Sequence, residues 1–356
     1  ILPADVSWTE GAEPPAPLAP VVPEPITAEN VAELAAILGG DDRAAISYRD
    51  SFHPQVRAGF DREAADQPLI KAYGAQKRPT SPNRHLAISG ALNDFSQTVV
   101  RHILEEEHLG RVIYAGGDDV LAMLPVADLA SAMQRLRQAY SGEAPDHAGG
   151  LDTGLTLHQG FAALKTRRGN QARVRLMRMM GRAATASCGA VIAHHQAPLG
   201  AVMRELRAAE QRAKHHRRPG TDGQPRDRDA FSLTIIKRSG GALTLTEEWG
   251  EPLELLADLM AYLRQPGVSR RAVYNTLAWS QDLPDPKDNP AMLERLLAFQ
   301  LARQADEQAL KAQAPGLARR LADRAAHQPG PALAWLENFL TIGEFLARET
   351  RGGGDA

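Results

Sequence analysis

The stretch RVIYAGGDDVLAMLP, residues 111–125, decides the fold class of this chain. Two short apolar runs flank Gly116-Gly117-Asp118-Asp119, and apolar runs joined by a glycine-rich turn are typical of a β-hairpin. The carboxylates of Asp118 and Asp119 are therefore predicted to lie at the tip of a hairpin.

The segments around this hairpin extend the pattern. A helix is predicted from Ser81 to His108, because Ser81-Pro82 provides a cap and a first-turn proline. Asp128 is predicted to cap a helix that ends near residue 140, followed by a strand at 184–193 and a helix from Pro198 to about residue 216. This order is ferredoxin-like without its first strand, so we expect an α+β fold.

Three regions are predicted. Residues 1–80 form a proline-rich linker or insertion, with a short helix at 27–38 and a loop from there to about residue 80. Residues 81–250 form the α+β domain, with a second hairpin at 231–246. Residues 251–356 form an all-α C-terminal bundle whose helices break at proline-glycine steps, among them Pro315-Gly316. Because the chain starts at Ile1 and runs into prolines, we expect an upstream portion to be missing.

Composition limits the function classes. The formal net charge is -2 with 24% charged residues, so contact with nucleic acid has to come from local patches. Cys188 is the only cysteine, which excludes an internal disulfide and a CxxC zinc site within this chain. No run approaches the roughly 20 apolar residues of a membrane span. We expect a soluble, cytoplasmic protein with no membrane contact.

The adjacent acids Asp118 and Asp119 are suited to metal chemistry. Mg²⁺ or Mn²⁺ takes hard oxygen ligands, and the glycines Gly116 and Gly117 allow a nucleotide to approach the backbone. A two-metal site built on such carboxylates activates an attacking hydroxyl and neutralises leaving pyrophosphate, which is nucleotidyl transfer. The alternative interpretation is an ordinary type I′ turn, for which these residues are also preferred.

The same four letters occur at Gly39-Gly40-Asp41-Asp42. Here Gly39 follows the apolar helix that ends at Leu38 and is explained as its C-terminal cap, and no apolar strand follows Asp42. We therefore assign catalysis to Asp118 and Asp119 and none to Asp41 or Asp42.

Residues 111–125 resemble the second palm domain of the large signature subunit of type III CRISPR complexes, Cmr type (type III-B). Three further segments are similar to that family: SPNRHLAISGALNDF at 81–95, ATASCGAVIAHHQAPL at 184–199 and LAWLENFLTIGEFLARE at 333–349. The resemblance implies a palm of the nucleotide cyclase and polymerase type that converts ATP into cyclic oligoadenylate when the guide-bound complex captures target RNA. It also implies partners: guide RNA, target RNA and other subunits, including a small helical one.

The resemblance implies one feature that the sequence does not provide. An apolar strand ending in a metal-binding Asp is expected upstream of Ser81, and residues 1–8 are a poor substitute for it. The family's nuclease domain, first palm and zinc site are likewise absent from these residues.

Three further residues are candidates for nucleotide binding. Lys214 lies where related nucleotide cyclases have a lysine against the phosphates, and its ammonium would offset the triphosphate charge. The alternative interpretation is a solvated lysine in a basic run. Ser89 on the long helix is a candidate contact to a base or ribose. His195 follows His194 at the end of an apolar strand that we expect to face the hairpin end of the sheet.

The segment 165–182 is basic. It contains Lys165 and the arginines 167, 168, 173, 175, 178 and 182, with no acid among them. Arg167, Arg168, Arg173 and Arg175 are candidates for contact with RNA phosphates, and a solvated insertion is the competing interpretation.

Two functions from different classes remain open. One is an enzyme that polymerises and cyclises ATP, and the other is a non-catalytic palm scaffold that holds RNA and neighbouring subunits. A diguanylate cyclase fits less well, because Val120 follows Asp119 where that family's GGDEF signature has Phe.

Overall fold

A computed structural model describes residues 47–49, 54–76, 82–144, 154–168, 171–219, 225–280 and 285–350. The predicted helix at 27–38 and the Asp41-Asp42 pair lie outside these residues. The chain divides into two compact units, Ile1–Pro82 and Asn83–Ala356. Within the described ranges, no helix is both long enough and apolar enough to cross a bilayer.

The described part of the first unit contains two helices, α1 (Pro54–Ala65) and α2 (Pro68–Ala75). The prediction of a loop in this region was wrong. Prolines begin both helices, where their missing N–H costs nothing, and the Gly74 backbone lies so close to the Phe60 ring that a Cβ would stand 2.5 Å from it. This close packing of two short helices is not visible as periodicity in the sequence.

Residues 82–107 form a continuous helical stretch, and the second unit begins within it. The stretch begins as α3 (Pro82–Asp94) and continues through two π-helical segments, Phe95–Val99 and His102–Glu107. This confirms the long helix predicted before the hairpin. Val99, Val100, Ile103 and Leu104 are fully buried, so the π-helical turns align a wide apolar face with the core.

The hairpin follows as predicted. Strands β1 (Arg111–Gly116) and β2 (Asp119–Met123) are antiparallel with Gly116 opposite Asp119. Helix α4 (Val126–Ser141) comes next, but Asp128 is not its cap. Its carboxylate instead accepts a hydrogen bond of 2.8 Å from the Leu109 backbone and ties α4 to the segment before β1.

The basic segment contains strands of a sheet, and its described lysine and arginine side chains are exposed. Strands β3 (Leu155–His158), β4 (Phe161–Arg168) and β5 (Gln171–Arg178) form an antiparallel meander. Its inner face, with Ala162 and Met177 buried, packs on the long helix and α4 in one hydrophobic cluster. The alternation of apolar and basic residues along these strands explains how a basic segment forms a sheet.

A second sheet has the order β10-β9-β6. Strand β6 (Cys188–Ile192) leads into α5 (Leu199–Lys214), then the short pair β7 (Arg218–Pro219) and β8 (Pro225–Arg226), then β9 (Ala230–Ile236) and β10 (Ala242–Glu248). Strand β6 is parallel to β9. The α+β class is confirmed, but among the described strands the β1–β2 hairpin shares no sheet with β6, whereas the ferredoxin-like pattern implies a single sheet.

The C-terminal region is helical, with α6 (Glu251–Arg264), α7 (Arg271–Ser280), α8 (Pro290–Arg303), α9 (Gln308–Ala326) and α10 (Ala332–Glu349). The predicted break at Pro315 was wrong, because this proline lies inside α9. Ala314, Leu317 and Ala318 around it are buried, and their packing outweighs the hydrogen bond that proline removes. These helices share one hydrophobic core with the β6, β9 and β10 strands.

Gly189 sets the distance between β6 and α5. A Cβ there would lie 2.4 Å from the Glu210 backbone nitrogen and 2.8 Å from its Cα, neither of which can rotate away. We expect Gly189→Ala to lower the free energy of unfolding by about 2–3 kcal/mol, at the upper part of the range for overpacking. Gly200→Ala is the matched control, since its Cβ would meet only the end of Arg204, 3.7 Å away. Urea denaturation of both variants measures the difference, and equal stabilities would contradict this account of Gly189.

Candidate functional site

The hairpin turn places Asp118 and Asp119 in solvent. Both residues are exposed, and in the described part of the chain neither carboxylate has a hydrogen bond or ion pair with another side chain. Gly117 has a φ of 62°, and Asp118 is not among the described non-glycine residues with positive φ. A type I′ turn requires positive φ at both positions, so this turn is of another type and requires glycine only at 117.

The two glycines of the turn differ in the space they leave. A Cβ at Gly116 would lie 2.5 Å from the Tyr114 hydroxyl, so that ring covers Gly116. A Cβ at Gly117 would meet nothing within 4 Å. The open approach expected from the sequence is therefore at Gly117, and Tyr114 is a neighbour of the turn that the sequence did not indicate.

The tip lies beside the C-terminal end of α4. Burial raises the pKa of the Tyr140 phenol, and the Asp118 carboxylate raises it further. Tyr140 packs edge-on against Phe95, with ring centroids 5.2 Å apart. The hairpin tip, the end of α4 and the first π-helical turn thus form one corner of the molecule, which we call the tip end.

The second sheet is oriented relative to this corner by one ion pair. Arg137, one turn before Tyr140, contacts Asp229 at 2.5 Å, and Asp229 directly precedes β9. Since Cys188 pairs with Phe231 in the parallel register of β6 and β9, both strands begin at the tip end. Both strands therefore run away from Asp118.

Lys214 lies at this same end. Helix α5 returns antiparallel to β6, so Glu210 meets Gly189 and Lys214 follows one turn later. The Lys214 ammonium is half-buried and pairs with Glu210 at 2.6 Å. Burial, together with the Glu210 carboxylate, raises the pKa of Cys188 to about 12, which locates this ion pair beside the start of β6.

The histidines lie at the other end. His194 and His195 follow the last residue of β6, and their rings are 4.2 Å apart. Partial burial and the charges of Arg238 and His195 lower the pKa of His194, and Arg238 follows the far end of β9. The expectation that His195 faces the hairpin end of the sheet is contradicted, because a strand length separates it from Cys188.

The remaining candidates are distributed as follows. Ser89 is exposed on α3, six residues before Phe95 and therefore about 9 Å from it along the helix axis. Arg175 pairs with Asp94 at 2.6 Å, and Arg173 is exposed beyond it on β5. Arg167 and Arg168 belong to β4, but their side chains lie outside the described residues.

The hairpin tip offers few side chains that could ligate a metal ion. Among the described residues there is no group of three or more His, Cys, Asp or Glu that could hold a metal ion. Mg²⁺ is usually held by one or two carboxylates and completed by waters and substrate phosphates. Asp118 and Asp119 fit a cation that arrives with a triphosphate, and not one held by the protein alone.

Part of the chain is similar to a known family of domains. Residues 66–221 match the model of the Cas10/Cmr2 second palm domain. This match contains the hairpin, the β3–β5 sheet, the histidines and Lys214, and it ends before β9 and the helices that follow.

Two curated proteins are similar in sequence. The CRISPR system Cmr subunit Cmr2 of Pyrococcus furiosus is 34% identical over 108 residues, which are 30% of this chain and 11% of that protein. The CRISPR system CMR subunit Cmr2 of Saccharolobus solfataricus is 36% identical over 119 residues, 33% of this chain and 10% of that protein. The matched segment thus spans about a tenth of either relative.

One solved structure is also similar. It is a type III-B Cmr-beta cryo-EM structure of the apo state, with a TM-score of 0.45 and 19% sequence identity over 78% of this chain and 26% of that chain.

Proposed function

We propose, on the premise that residues 66–221 belong to the Cas10/Cmr2 second palm family, that this chain forms part of the large subunit of a type III-B CRISPR effector complex. We further propose that it takes part in the polymerisation and cyclisation of ATP into cyclic oligoadenylate. Asp118 and Asp119 would hold Mg²⁺ or Mn²⁺ on the ATP phosphates. The bound metal would supply charge neutralisation and activation of the attacking hydroxyl.

The observation that carries this proposal is an exposed carboxylate pair that has no side-chain partner among the described residues, on a turn that is open at Gly117. Two adjacent carboxylates repel one another, and a divalent cation with oxygen ligands would offset that repulsion. Lys214, at the same end of the molecule, provides an ammonium that can exchange Glu210 for a phosphate oxygen. The choice of ATP as substrate rests on the family resemblance.

A non-catalytic scaffold is the second candidate, and a specific observation favours it. The described residues bring no third carboxylate or histidine to Asp118 and Asp119. A palm without further ligands keeps its shape and can still hold RNA and neighbouring subunits.

One experiment separates the two candidates. The complex assembled with this chain is incubated with ATP, Mg²⁺ or Mn²⁺ and matching target RNA, and products are separated by ion-pair chromatography. Cyclic oligoadenylate is expected from the enzyme. If the complex assembles fully and captures RNA but forms no product from ATP, the chain is a non-catalytic scaffold.

The placement of Lys214 and His195 gives a prediction about nucleotide binding. Lys214→Ala is expected to weaken ATP affinity by about 1–3 kcal/mol, because it removes a charge-assisted hydrogen bond to phosphate. His195→Ala is expected to leave the affinity unchanged, since His195 lies at the opposite end of β6. Titration with a fluorescent ATP analogue and Mg²⁺ measures both. A loss in the His195 variant alone would place the nucleotide at the other end of the sheet.

A further inference from the structure

The outer face of the β3–β5 sheet is a second candidate surface, in addition to the hairpin tip. Leu155 and Leu157 of β3 point into the core, so His158 points outward. His158 is opposite Phe161, and Phe161 is opposite Arg178. These three side chains therefore form one row across the face.

The same register extends the face along β4 and β5. Ala162 and Met177 are opposite one another and buried, so their strand neighbours lie on the outer side. Lys165 is opposite Val174, and Leu176 lies between the two rows. We call Phe161, Lys165, Val174, Leu176 and Arg178, together with His158, the basic sheet face.

The basic sheet face exposes apolar side chains of a kind that are usually buried in a folded protein. The exposed fractions are 41% for Phe161, 63% for Val174 and 68% for Leu176. Three adjacent exposed apolar side chains in a folded protein indicate a binding surface.

The charge of the sheet indicates the kind of partner. Residues 155–182 contain one lysine, six arginines and no acid, in a chain whose net charge is -2. Among the described cations of this sheet, Arg175 has its charge compensated by Asp94, on the inner side. The described cations of the outer face are Lys165 and Arg178, and with no acid in the segment this face is complementary to a polyanion.

The exposed Phe161 ring and the cations beside it indicate which form of nucleic acid the face binds. Exposed aromatic rings on sheet faces stack with unpaired bases, while adjacent lysine and arginine residues contact the phosphates. A duplex hides its bases and would leave the apolar side chains exposed. We propose that the basic sheet face binds an unpaired nucleic-acid strand, with a base on Phe161 and phosphates at Arg178 and Lys165.

Backbone hydrogen bonds connect the β3–β5 sheet to α4. Backbone hydrogen bonds of 3.1 Å from Gly160 to Gly142 and 3.0 Å from Met180 to Tyr140 join its base to the end of α4. The basic sheet face is therefore a preformed surface, and strand binding does not depend on nucleotidyl transfer at the tip.

The test is a fluorescence anisotropy titration of the whole chain with a labelled, unstructured 12-nucleotide RNA. Phe161→Ala is expected to weaken binding about tenfold, and Phe161→Tyr to preserve it, because tyrosine also stacks. Lys165→Gln with Arg178→Gln is expected to lower the slope of log affinity against log salt by about 1.4, for two lost phosphate contacts to a single strand.

A matched control variant removes two positive charges from a surface outside the β3–β5 sheet. Arg295→Gln with Arg319→Gln alters two exposed arginines of α8 and α9 and is expected to leave affinity and slope unchanged. Single-stranded DNA of the same length measures whether the ribose contributes to affinity. A duplex of the same length is expected to bind at least tenfold more weakly than the single strand. Unchanged affinity in Phe161→Ala, or equal affinity for duplex and single strand, would overturn the proposal. Circular dichroism melting confirms that each variant is folded.

Discussion

Replacing Asp118 and Asp119 together by asparagine is expected to lower the rate of product formation from ATP at least about a thousandfold. Asparagine keeps the side-chain volume but removes both negative charges, and metal-assisted stabilisation of a transition state is worth several kcal/mol. Both residues are exposed, so the fold and the assembly of the complex are expected to be unaffected. Ion-pair chromatography of products and gel filtration of the complex measure the two effects.

The matched control uses the second copy of the motif. Asp41→Asn with Asp42→Asn changes the same two residue types after the same two glycines, and full activity is expected. An inactive control together with an active Asp118 and Asp119 variant would reverse the assignment of the two motifs. Loss of the assembled complex in the Asp118 and Asp119 variant would make that pair structural.

Glu247→Ala is expected to lower the free energy of unfolding by about 3–5 kcal/mol, the usual cost of breaking a buried ion pair from one side. Glu247 is fully buried on β10. Its carboxylate accepts hydrogen bonds from Arg324, from Gln328 at 3.0 Å and from the Trp335 indole. This one carboxylate therefore joins the second sheet to the residues of α9, to the turn after it and to α10.

The expected loss of stability is large because the buried charge of Arg324 would lose its partner Glu247. Burial lowers the pKa of Arg324, but the carboxylates of Glu247 and Glu248 outweigh this and raise it. Without Glu247, the pair with Glu248 at 2.8 Å is the one that the guanidinium keeps among the described residues.

The control is an exposed glutamate that also contacts α9. Glu251 pairs with Arg320 at 3.2 Å, and both side chains are solvated. Glu251→Ala is expected to cost no more than about 1 kcal/mol, since water replaces the lost partner. Urea denaturation at pH 7 measures both variants, and similar losses would show that the Glu247 network contributes no more than a surface pair.

Much of the fold near the hairpin was predictable from the sequence. The long helix, the β1–β2 hairpin and the helix after it were predicted from apolar spacing and turn residues, which act between near neighbours. The resemblance to the Cmr-type large subunit is confirmed by the family match over residues 66–221. The roles of Asp118 and Asp119 rest on the same local pattern and remain predictions.

Local signals also caused the errors. Pro315 indicated a helix break, yet the burial of its neighbours in α9 holds the helix together. The run of arginines in 165–182 did not indicate strands, although every second residue of β4 near Ala162 faces the core while the described arginines are exposed. In both cases packing against a distant element outweighed the propensity of the segment.

The tertiary structure alone decided which candidates lie together. Lys214 and His195 are equally plausible from the sequence, and the parallel pairing of β6 with β9 and the Arg137–Asp229 ion pair put them at opposite ends. The same holds for Tyr140 beside Asp118 and for Glu247 among residues some 80 positions away. Periodicity along a chain specifies which face of an element is apolar, but not which partner covers it, because that choice depends on contacts between residues far apart in sequence.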